Sequence, residues 1–412
     1  MIKAISPSLD TTLNPPTAVQ RLGRFFAIEK ALLRIQAARL PDLRSWNLKH
    51  RVGYHLFADA EHAQALLIRR RELPGGVRPP ASVDPHLRSS IEACLFVEGD
   101  YGYCSALYLG VKSLLVQAYR HHLEHTVPAS DDRSRQVLEA IIADEERQIA
   151  WVHGALALMP EVRGGDKRQA REAIEQVQQW IGAAGGLLGE GPLTPDELPE
   201  PRSYTVVKDA RREPRQRATL EFEAPTVAGD AIQQAVVTQF TSFFREMAAA
   251  ETVASMLWDA PDSMPWEFFV DTARHCWDEI RHSQAGQERL ERLGLDIWSV
   301  PVQTGNYDIR SRMPLLERYA YITQVEEGRG FARRHEREAL FRDAGDQLSA
   351  DMMAYDTADE RRHVAFGSKW IPELQKVIGD TRSMATLVED ATRLRQSVLA
   401  ALHARTPEDG SY

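Results

Sequence analysis

Cysteine is scarce in this sequence. Only Cys94, Cys104 and Cys276 occur in 412 residues, an odd number without the short spacings that zinc sites use. This excludes a disulfide-stapled scaffold and a zinc-ribbon domain, because both need several cysteines close together in sequence. We therefore expect reduced thiols and a cytoplasmic protein.

The sequence also lacks long apolar runs and clusters of basic residues. No segment approaches the roughly 20 apolar residues of a membrane span, and the N-terminal MIKAISPSLDTTLNPPT lacks the apolar core of a signal peptide. The net charge of −9 offers no basic face to DNA or RNA. With 43% hydrophobic and 26% charged residues, the composition is that of a globular protein, for which we expect no membrane and no nucleic-acid partner.

What the sequence has throughout is helical periodicity, which predicts an all-α fold. Apolar residues recur at helical spacing, and Pro and Gly fall largely in the breaks. The predicted helices are 17–40, 44–72, 85–126, 131–158 and 166–184, and then 231–258, 264–292, 313–343, 347–373 and 381–404. Between the two sets, 186–229 is rich in Pro, Gly and charge, which is typical of a linker; only SYTVV (203–207) has strand character.

The two sets of helices match each other in sequence. Asp59 and His62 align with Glu279 and His282 when four short segments are matched in the same order. The pairs are YHLFADAEHAQ (54–64) with RHCWDEIRHSQ (274–284), ADEERQIAW (143–151) with ADERRHVAF (358–366), FFAIEKALL (25–33) with the region of Glu251, and FVEGDYG (96–102) with QVEEGRG (324–330). The order indicates duplication, with an N-terminal repeat at 1–185, a linker at 186–229 and a C-terminal repeat at 230–412.

The C-terminal repeat carries a set of metal-ligand residue types. It contains two E-x-x-H motifs, and residues three apart on a helix share a face, so each motif directs a carboxylate and an imidazole to one point. A further glutamate precedes each motif by about one helical hairpin. Four carboxylates and two imidazoles inside a four-helix bundle form a di-iron or di-manganese ligand set. The predicted ligands are Glu251, Glu279, His282, Glu327, Glu360 and His363.

These motifs resemble those of the ferritin-like di-iron carboxylate superfamily in its E…DExxH…E…DExxH form. The resemblance implies two tandem ferritin-like four-helix bundles, each with an extra C-terminal helix. It also implies that Asp278 and Asp359, which precede the motif glutamates, hydrogen-bond the ligand histidine of the opposite helix. The motif pattern covers 251–363 and is specific for the metal site rather than for the reaction.

Several assignments near this site rest on position alone. Glu326 competes with Glu327, and we choose Glu327 because it continues a stripe from Thr323 towards Phe331. The candidate catalytic residues are Thr323, His275 and Asp356, each one turn from a proposed ligand. A core hydrogen-bonding role is the alternative for each of them.

The N-terminal repeat departs from the ligand pattern. Asp59 is a methylene shorter than a glutamate, Gln148 replaces a histidine, and Ala58 stands where the other repeat has Asp278. The equivalent residues are Glu29, Asp59, His62, Glu98, Glu145 and Gln148. We expect a degenerate site with a structural role, although metal binding there stays open.

The favoured function is an O₂-activating non-haem di-iron enzyme acting on a small organic substrate by hydroxylation, N-oxygenation or oxidative cleavage. Two iron ions (Fe²⁺/Fe³⁺) are the expected cofactor, with manganese as the alternative metal, and an external electron donor is needed. The alternative is a ferroxidase or iron-handling protein, against which the long asymmetric tandem argues. The sequence does not identify the substrate or the oligomeric state, for which a homodimer is one arrangement.

Overall fold

A computed structural model of the chain describes residues 12–78, 84–159, 164–219, 222–303 and 305–404. Helices dominate this part of the chain, and its one strand pair is Ala218–Thr219 (β1) beside Val302–Gln303 (β2), in parallel. The prediction of an all-α fold is confirmed. The SYTVV segment is not a strand. Among the described helices, none combines the length and the apolar character that a membrane span needs.

The chain folds as two compact units that each use two segments. Unit 1 comprises Met1–Ile35 and Ala58–Thr205, and unit 2 comprises Gln36–Phe57 and Val206–Tyr412. The division therefore differs from the predicted 1–185, 186–229 and 230–412. The proposed linker is split between both units, and an early segment of the chain belongs to the later unit.

Specific contacts explain why the segment Gln36–Phe57 belongs to unit 2. The Trp46 ring packs on Phe244, with centroids 4.7 Å apart, and its Nε1 atom donates to Gln287 Oε1 at 2.9 Å. The His50 Nε2 atom lies 3.2 Å from the Ser283 hydroxyl. Sequence periodicity cannot predict such long-range partners, because it reports only which face of a helix is apolar.

The helices of unit 1 contain one long irregular stretch. In chain order they are α1 (Pro15–Arg39, to Ile35 in this unit), α2 (Trp46–Glu72, from Ala58), α3 (Pro85–Glu92), α4 (Gly99–Cys104), a π-helical segment (Ser105–Lys112), α5 (Ser113–Glu124), α6 (Pro128–Ala157) and α7 (Gly164–Ala183). The predicted helix 85–126 is interrupted, because Val97 is extended and Gly99 has a positive φ of 70°. Helix α7 packs against the π-helical segment.

The helices of unit 2 include two breaks that sequence periodicity does not reveal. In chain order they are α8 (Ala231–Phe244), α9 (Met247–Asp259), α10 (Trp266–Arg292), α11 (Gly305–Arg310), α12 (Leu315–Ala320), a π-helical segment (Tyr321–Glu326), α13 (Phe331–Asp343), α14 (Gln347–Ile378) and α15 (Met384–His403). The predicted helix 231–258 is broken at Arg245 and Glu246, and 313–343 is broken between Glu327 and Gly330. Helix α11 was not predicted.

Helix α10 lies at the centre of unit 2, in contact with α8, α9 and α14. At Gly286 a Cβ atom would lie 2.1 Å from the Phe244 backbone nitrogen, so only glycine allows α8 to approach this closely. Phe240 lies beside this contact, whereas Phe268 and Phe269 pack against each other near the start of α10, and all three are fully buried. Burial of each ring contributes roughly 2–3 kcal/mol. This packing fixes the level at which the polar side chains of α10 and α14 meet.

Candidate metal centre

Helix α10 carries the first set of polar side chains in the core of unit 2. His275, Asp278, Glu279 and His282 are all buried, although the helix surface on either side is rich in Arg and Glu. Their spacing of three and four residues places them on one face. Buried polar groups of this kind require partners, so the facing helices should supply them.

Helix α14 and the π-helical segment supply the facing side chains. Asp356, Asp359, Glu360 and His363 on α14 are buried. The Glu327 N–H donates to the carbonyl of Ile322, five residues earlier, at 3.2 Å. This widened turn determines where Glu327, which is 5% exposed, enters the core.

One group of ligand atoms is formed by His275, Glu279, Glu327 and His363. The His363 Nδ1 atom lies 3.3 Å from Glu279 Oε1 and 3.8 Å from Glu327 Oε1. The His275 ring stacks on the His363 ring with centroids 3.8 Å apart, and its Nε2 atom lies 2.8 Å from Glu327 Oε1. Two carboxylates and an imidazole nitrogen thus converge on one point.

A second group lies beside the first and shares Glu279 with it. Glu279, His282 and Glu360 have ligand atoms within 4.8 Å of one another, as do Glu246, His282 and Asp356. The His282 Nδ1 atom lies 3.3 Å from Glu246 Oε2 and 3.9 Å from Glu279 Oε2. Because Glu279 directs Oε1 to one imidazole and Oε2 to the other, its carboxylate can bridge two ions.

The imidazoles of His282 and His363 each contact an aspartate through the Nε2 atom, on the side opposite the ligand groups. The His282 Nε2 atom lies 3.4 Å from Asp359 Oδ2, and the His363 Nε2 atom lies 3.4 Å from Asp278 Oδ2. Each aspartate therefore contacts the histidine of the opposite motif helix, in the arrangement that the resemblance implies. With the proton on Nε2, the Nδ1 lone pair of each ring points into its ligand group.

Several atoms that face the two groups are buried without a hydrogen-bond partner among the described residues. They are Nδ1 of His282 and His363, Oε2 of Glu246 and Glu327, and Oδ1 of Asp356. Buried polar atoms are almost always paired, so this cluster of unpaired lone pairs marks the atoms that are available to coordinate a cation. Carboxylate oxygens and neutral imidazole nitrogens suit iron, manganese or zinc.

Titration behaviour also reflects the crowding of carboxylates. Burial, followed by the charges of Glu327 and Asp356, raises the pKa of Glu360 well above its usual range. Burial raises the pKa of Glu246 to about 7, although His282 opposes this. Burial disfavours a charged His275, but Glu327 and Glu279 outweigh it and raise its pKa to about 10. In the absence of a metal, protons thus supply positive charge that a divalent ion would otherwise provide.

The predicted ligand Glu251 and the alternative ligand Glu326 both lie outside these groups. Glu251 contacts the buried ammonium of Lys49, and Arg212 Nη1 lies 3.5 Å from its other oxygen. Glu246, five residues earlier at the start of α9, contacts His282 in its place. Glu326 pairs with Arg310, so the structure brings Glu327 and not Glu326 to the cluster. Because the helix is broken at Arg245 and Glu246, the carboxylate that faces His282 is that of Glu246 and not that of Glu251.

The three candidate catalytic residues have different surroundings. His275 lies in the first ligand group and Asp356 in the second. Thr323 donates to the Tyr319 carbonyl at 2.7 Å, the core hydrogen-bonding role that was its alternative. Sequence reasoning missed Arg334, whose Nε lies 2.9 Å from Asp356 Oδ2 and whose Nη2 lies 2.8 Å from Glu360 Oε2.

Gly330 provides the space for Arg334. A Cβ atom at Gly330 would lie 2.2 Å from Nη1 of Arg334, so a larger side chain would displace the guanidinium from Asp356 and Glu360. Gly330 and Arg334 are one helical turn apart, and the Arg334 N–H donates to the Gly330 carbonyl. This spacing is the sequence feature that could have indicated the contact.

Unit 1 brings together most of the residues predicted for its degenerate site. Glu29, Asp59, His62 and Glu145 form one buried group, and Gln148 lies beside Asp59. Glu98 is the exception, because it precedes the first residue of α4 and is exposed. Lys112, at the end of the π-helical segment, enters the group instead and contacts Asp59 at 2.7 Å.

A comparison with models of protein families identifies a match for the C-terminal half of the chain. Residues 195–400 match the family described as "Protein of unknown function (DUF455)". Neither the curated proteins nor the solved structures gave a match. The matched segment contains α8 to α14, and thus every ligand of both groups in unit 2. Since it spans half of the 412 residues, the chain belongs to this DUF455 family.

Proposed function

We propose that unit 2 is a ferritin-like bundle that holds two iron ions, and that the chain is an O₂-activating non-haem di-iron oxidoreductase for a small organic substrate. The observation that carries the proposal is the position of Glu279 between two ligand groups, with the unpaired Nδ1 atom of His363 facing one group and that of His282 facing the other. A redox-silent structural site would not require this many buried carboxylates.

The residues divide between the two ions. One ion would be held by Glu327 and His363, the other by Glu246 and His282, with Glu279 and Glu360 within reach of both. Four carboxylates neutralise two divalent cations, so the loaded site carries no net charge in the core. When bound, a pair of ferrous ions supplies electrons and open coordination positions for O₂.

The protein itself contributes orientation and proton positions. Asp278 and Asp359 hold the imidazoles, which fixes their tautomers. His275 is close enough to Glu327 to hold a proton at Nε2 and donate it there. Arg334 balances the charge of Asp356 and Glu360. The proposed reaction would also require an external electron donor.

The test is anaerobic reconstitution with ferrous iron, followed by metal analysis and Mössbauer spectroscopy. Wild-type protein is compared with the His282→Ala/His363→Ala double variant, and His335→Ala on the exposed surface of α13 is the matched control. We expect the double variant to bind about two irons fewer than wild type, from the number of ligand groups. Equal iron content would overturn the proposal. A control identical to wild type confirms that surface histidines do not contribute.

Oxygen uptake separates the proposed enzyme from a ferroxidase. For the enzyme, uptake by the ferrous protein without a reductant stops at about one O₂ per iron pair, since two ferrous ions supply two electrons. A ferroxidase continues to consume O₂ as ferrous iron is added and accumulates ferric product. Manganese loading, followed by electron paramagnetic resonance, tests the alternative metal in the same preparation.

A further inference from the structure

The buried polar group of unit 1 has a ligand geometry of its own. The ligand atoms of Glu29, Asp59, His62 and Glu145 lie within 4.8 Å of one another. Glu29, Asp59 and Glu145 are fully buried and His62 is 8% exposed. The group lies outside the segment that matches the family, so neither that match nor the proposed function concerns it.

His62 reproduces the environment of one histidine of unit 2 and not the other. Its Nε2 atom lies 3.2 Å from Asp144 Oδ2, as His282 Nε2 lies 3.4 Å from Asp359. Asp144 directly precedes Glu145, just as Asp359 precedes Glu360. The His62 Nδ1 atom faces Glu29 Oε1 at 3.6 Å and Glu145 Oε1 at 3.3 Å. Unit 1 therefore retains the half of the site that corresponds to Glu246, His282 and Glu360.

The other half of the site is replaced by a lysine. The Lys112 ammonium contacts both oxygens of Asp59 at 2.7 and 2.8 Å and both oxygens of Glu145 at 2.9 and 3.1 Å. It also lies 2.9 Å from Gln148 Oε1. Lys112 ends a π-helical segment, and Glu327 directly follows one in unit 2.

The departures from the ligand pattern fall on this same half. Gln148 stands where unit 2 has His363, and Ala58 stands where it has Asp278, the residue that holds His363. A fixed ammonium thus occupies the place of one cation, and the residues that would serve that cation have been lost together. The retained half keeps its imidazole, its carboxylates and the aspartate behind the imidazole.

Charge and unpaired atoms indicate that the retained half needs a cation. Glu29, Asp59 and Glu145 carry three formal negative charges, and Lys112 offsets one of them, so one divalent ion would neutralise the group. Glu29 Oε2 and His62 Nδ1 are buried without a hydrogen-bond partner among the described residues. The Tyr119 hydroxyl donates to Glu29 Oε1 at 2.5 Å and holds this carboxylate in position.

The spacing of the facing atoms suits a single ion. Bonds of about 2.1 Å to one metal place neighbouring ligand atoms roughly 3.0 to 3.4 Å apart, close to the separations around His62 Nδ1. We propose that unit 1 binds one divalent transition-metal ion through Glu29, His62 and Glu145, with the Lys112 ammonium in the position of a second ion.

The experiment uses Co²⁺, whose visible absorption reports coordination without any activity measurement. The full-length chain carries His282→Ala and His363→Ala, so that the site of unit 2 is disabled. We expect this protein to bind about one Co²⁺ per chain, and none once His62→Gln is added, because the imidazole is the one nitrogen ligand in the group. Failure of the di-iron proposal would not alter this result, since the ion is counted in the disabled background.

Two further variants make the outcome decisive. His121→Gln alters a partly exposed group of unit 1, His121 with Glu124 and His125, and should leave the Co²⁺ count unchanged. Lys112→Glu restores a carboxylate at the position of the ammonium and should raise the count towards two. Binding of no Co²⁺ in the disabled background overturns the proposal, as does an ion that survives His62→Gln. Circular dichroism confirms that each variant is folded.

Discussion

The ammonium of Lys49 contacts Glu251 Oε1 in the core of unit 2, and both side chains are only 2% exposed. The pair joins the early segment Gln36–Phe57 to α9. Lys49 Nζ also donates to the Arg211 carbonyl at 2.7 Å. This contact accounts for Glu251 without a metal, because its charge is already compensated.

Breaking the Lys49–Glu251 pair should destabilise unit 2. Lys49→Met removes the buried ammonium from Glu251 and leaves only Arg212, 3.5 Å from Oε2, beside the buried carboxylate, which costs about 3–5 kcal/mol of unfolding free energy. Urea denaturation measures the loss. The control is Arg292→Met, which removes an exposed pair with Glu288 on α10 and should cost less than about 1 kcal/mol. Equal effects of the two substitutions would contradict the buried pairing.

Glu246 and Glu251 should differ in their effect on metal binding. Glu246→Gln removes a carboxylate that faces His282, so we expect weaker binding of one of the two ions in unit 2. Glu251→Gln should leave the metal count unchanged, even if it lowers stability. Metal titration of both variants decides between them, and a lower count for Glu251→Gln alone would restore the original sequence prediction.

The two aspartates behind the imidazoles should each affect one ion. Asp278→Asn weakens the contact that orients His363, and Asp359→Asn weakens the contact that orients His282. Each substitution should therefore lower the affinity for one ion by about 10- to 100-fold. Asp271→Asn is the control, because Asp271 lies on α10 but bonds Lys369 and Trp370 instead of a histidine. Competition with a chelator measures the affinities. A tenfold loss in the control would mean that the effect is structural.

Gly367 should be intolerant of a side chain. An added Cβ would lie 2.2 Å from Thr323 Oγ1 and 2.6 Å from Thr323 Cβ, which forces α14 away from the π-helical segment. We expect Gly367→Ala to cost about 1–3 kcal/mol and to weaken metal binding through Glu327. Gly182→Ala, where nothing lies within 4 Å, should instead stabilise α7 by up to about 1 kcal/mol. Urea denaturation and metal titration measure both variants.

The local parts of the site could be predicted from the sequence. Glu279 with His282, and Glu360 with His363, share a face because their spacing is set within a single helix. Helical periodicity likewise predicted most helix positions, since it depends on neighbouring residues.

The parts that depend on helix breaks or distant partners could not be predicted. Counting a hairpin back from Glu279 cannot separate Glu246 from Glu251 unless the break before α9 is known. Lys112 was missed because the repeat was aligned on FVEGDYG, which contains Glu98, whereas the inward position follows from the π-helical segment. The partnership of Lys49 with Glu251 crosses 202 residues of sequence.

The division of the chain into two units has a consequence for the preparation of fragments. The family match covers residues 195–400, but Trp46, Lys49 and His50 come from outside that span. A fragment limited to the match would lose the Trp46 ring that packs on Phe244 and the Lys49 ammonium that contacts Glu251. Such a fragment should fold only when a peptide spanning 36–57 is supplied in trans. The residues that define the sequence family therefore do not form a complete folding unit.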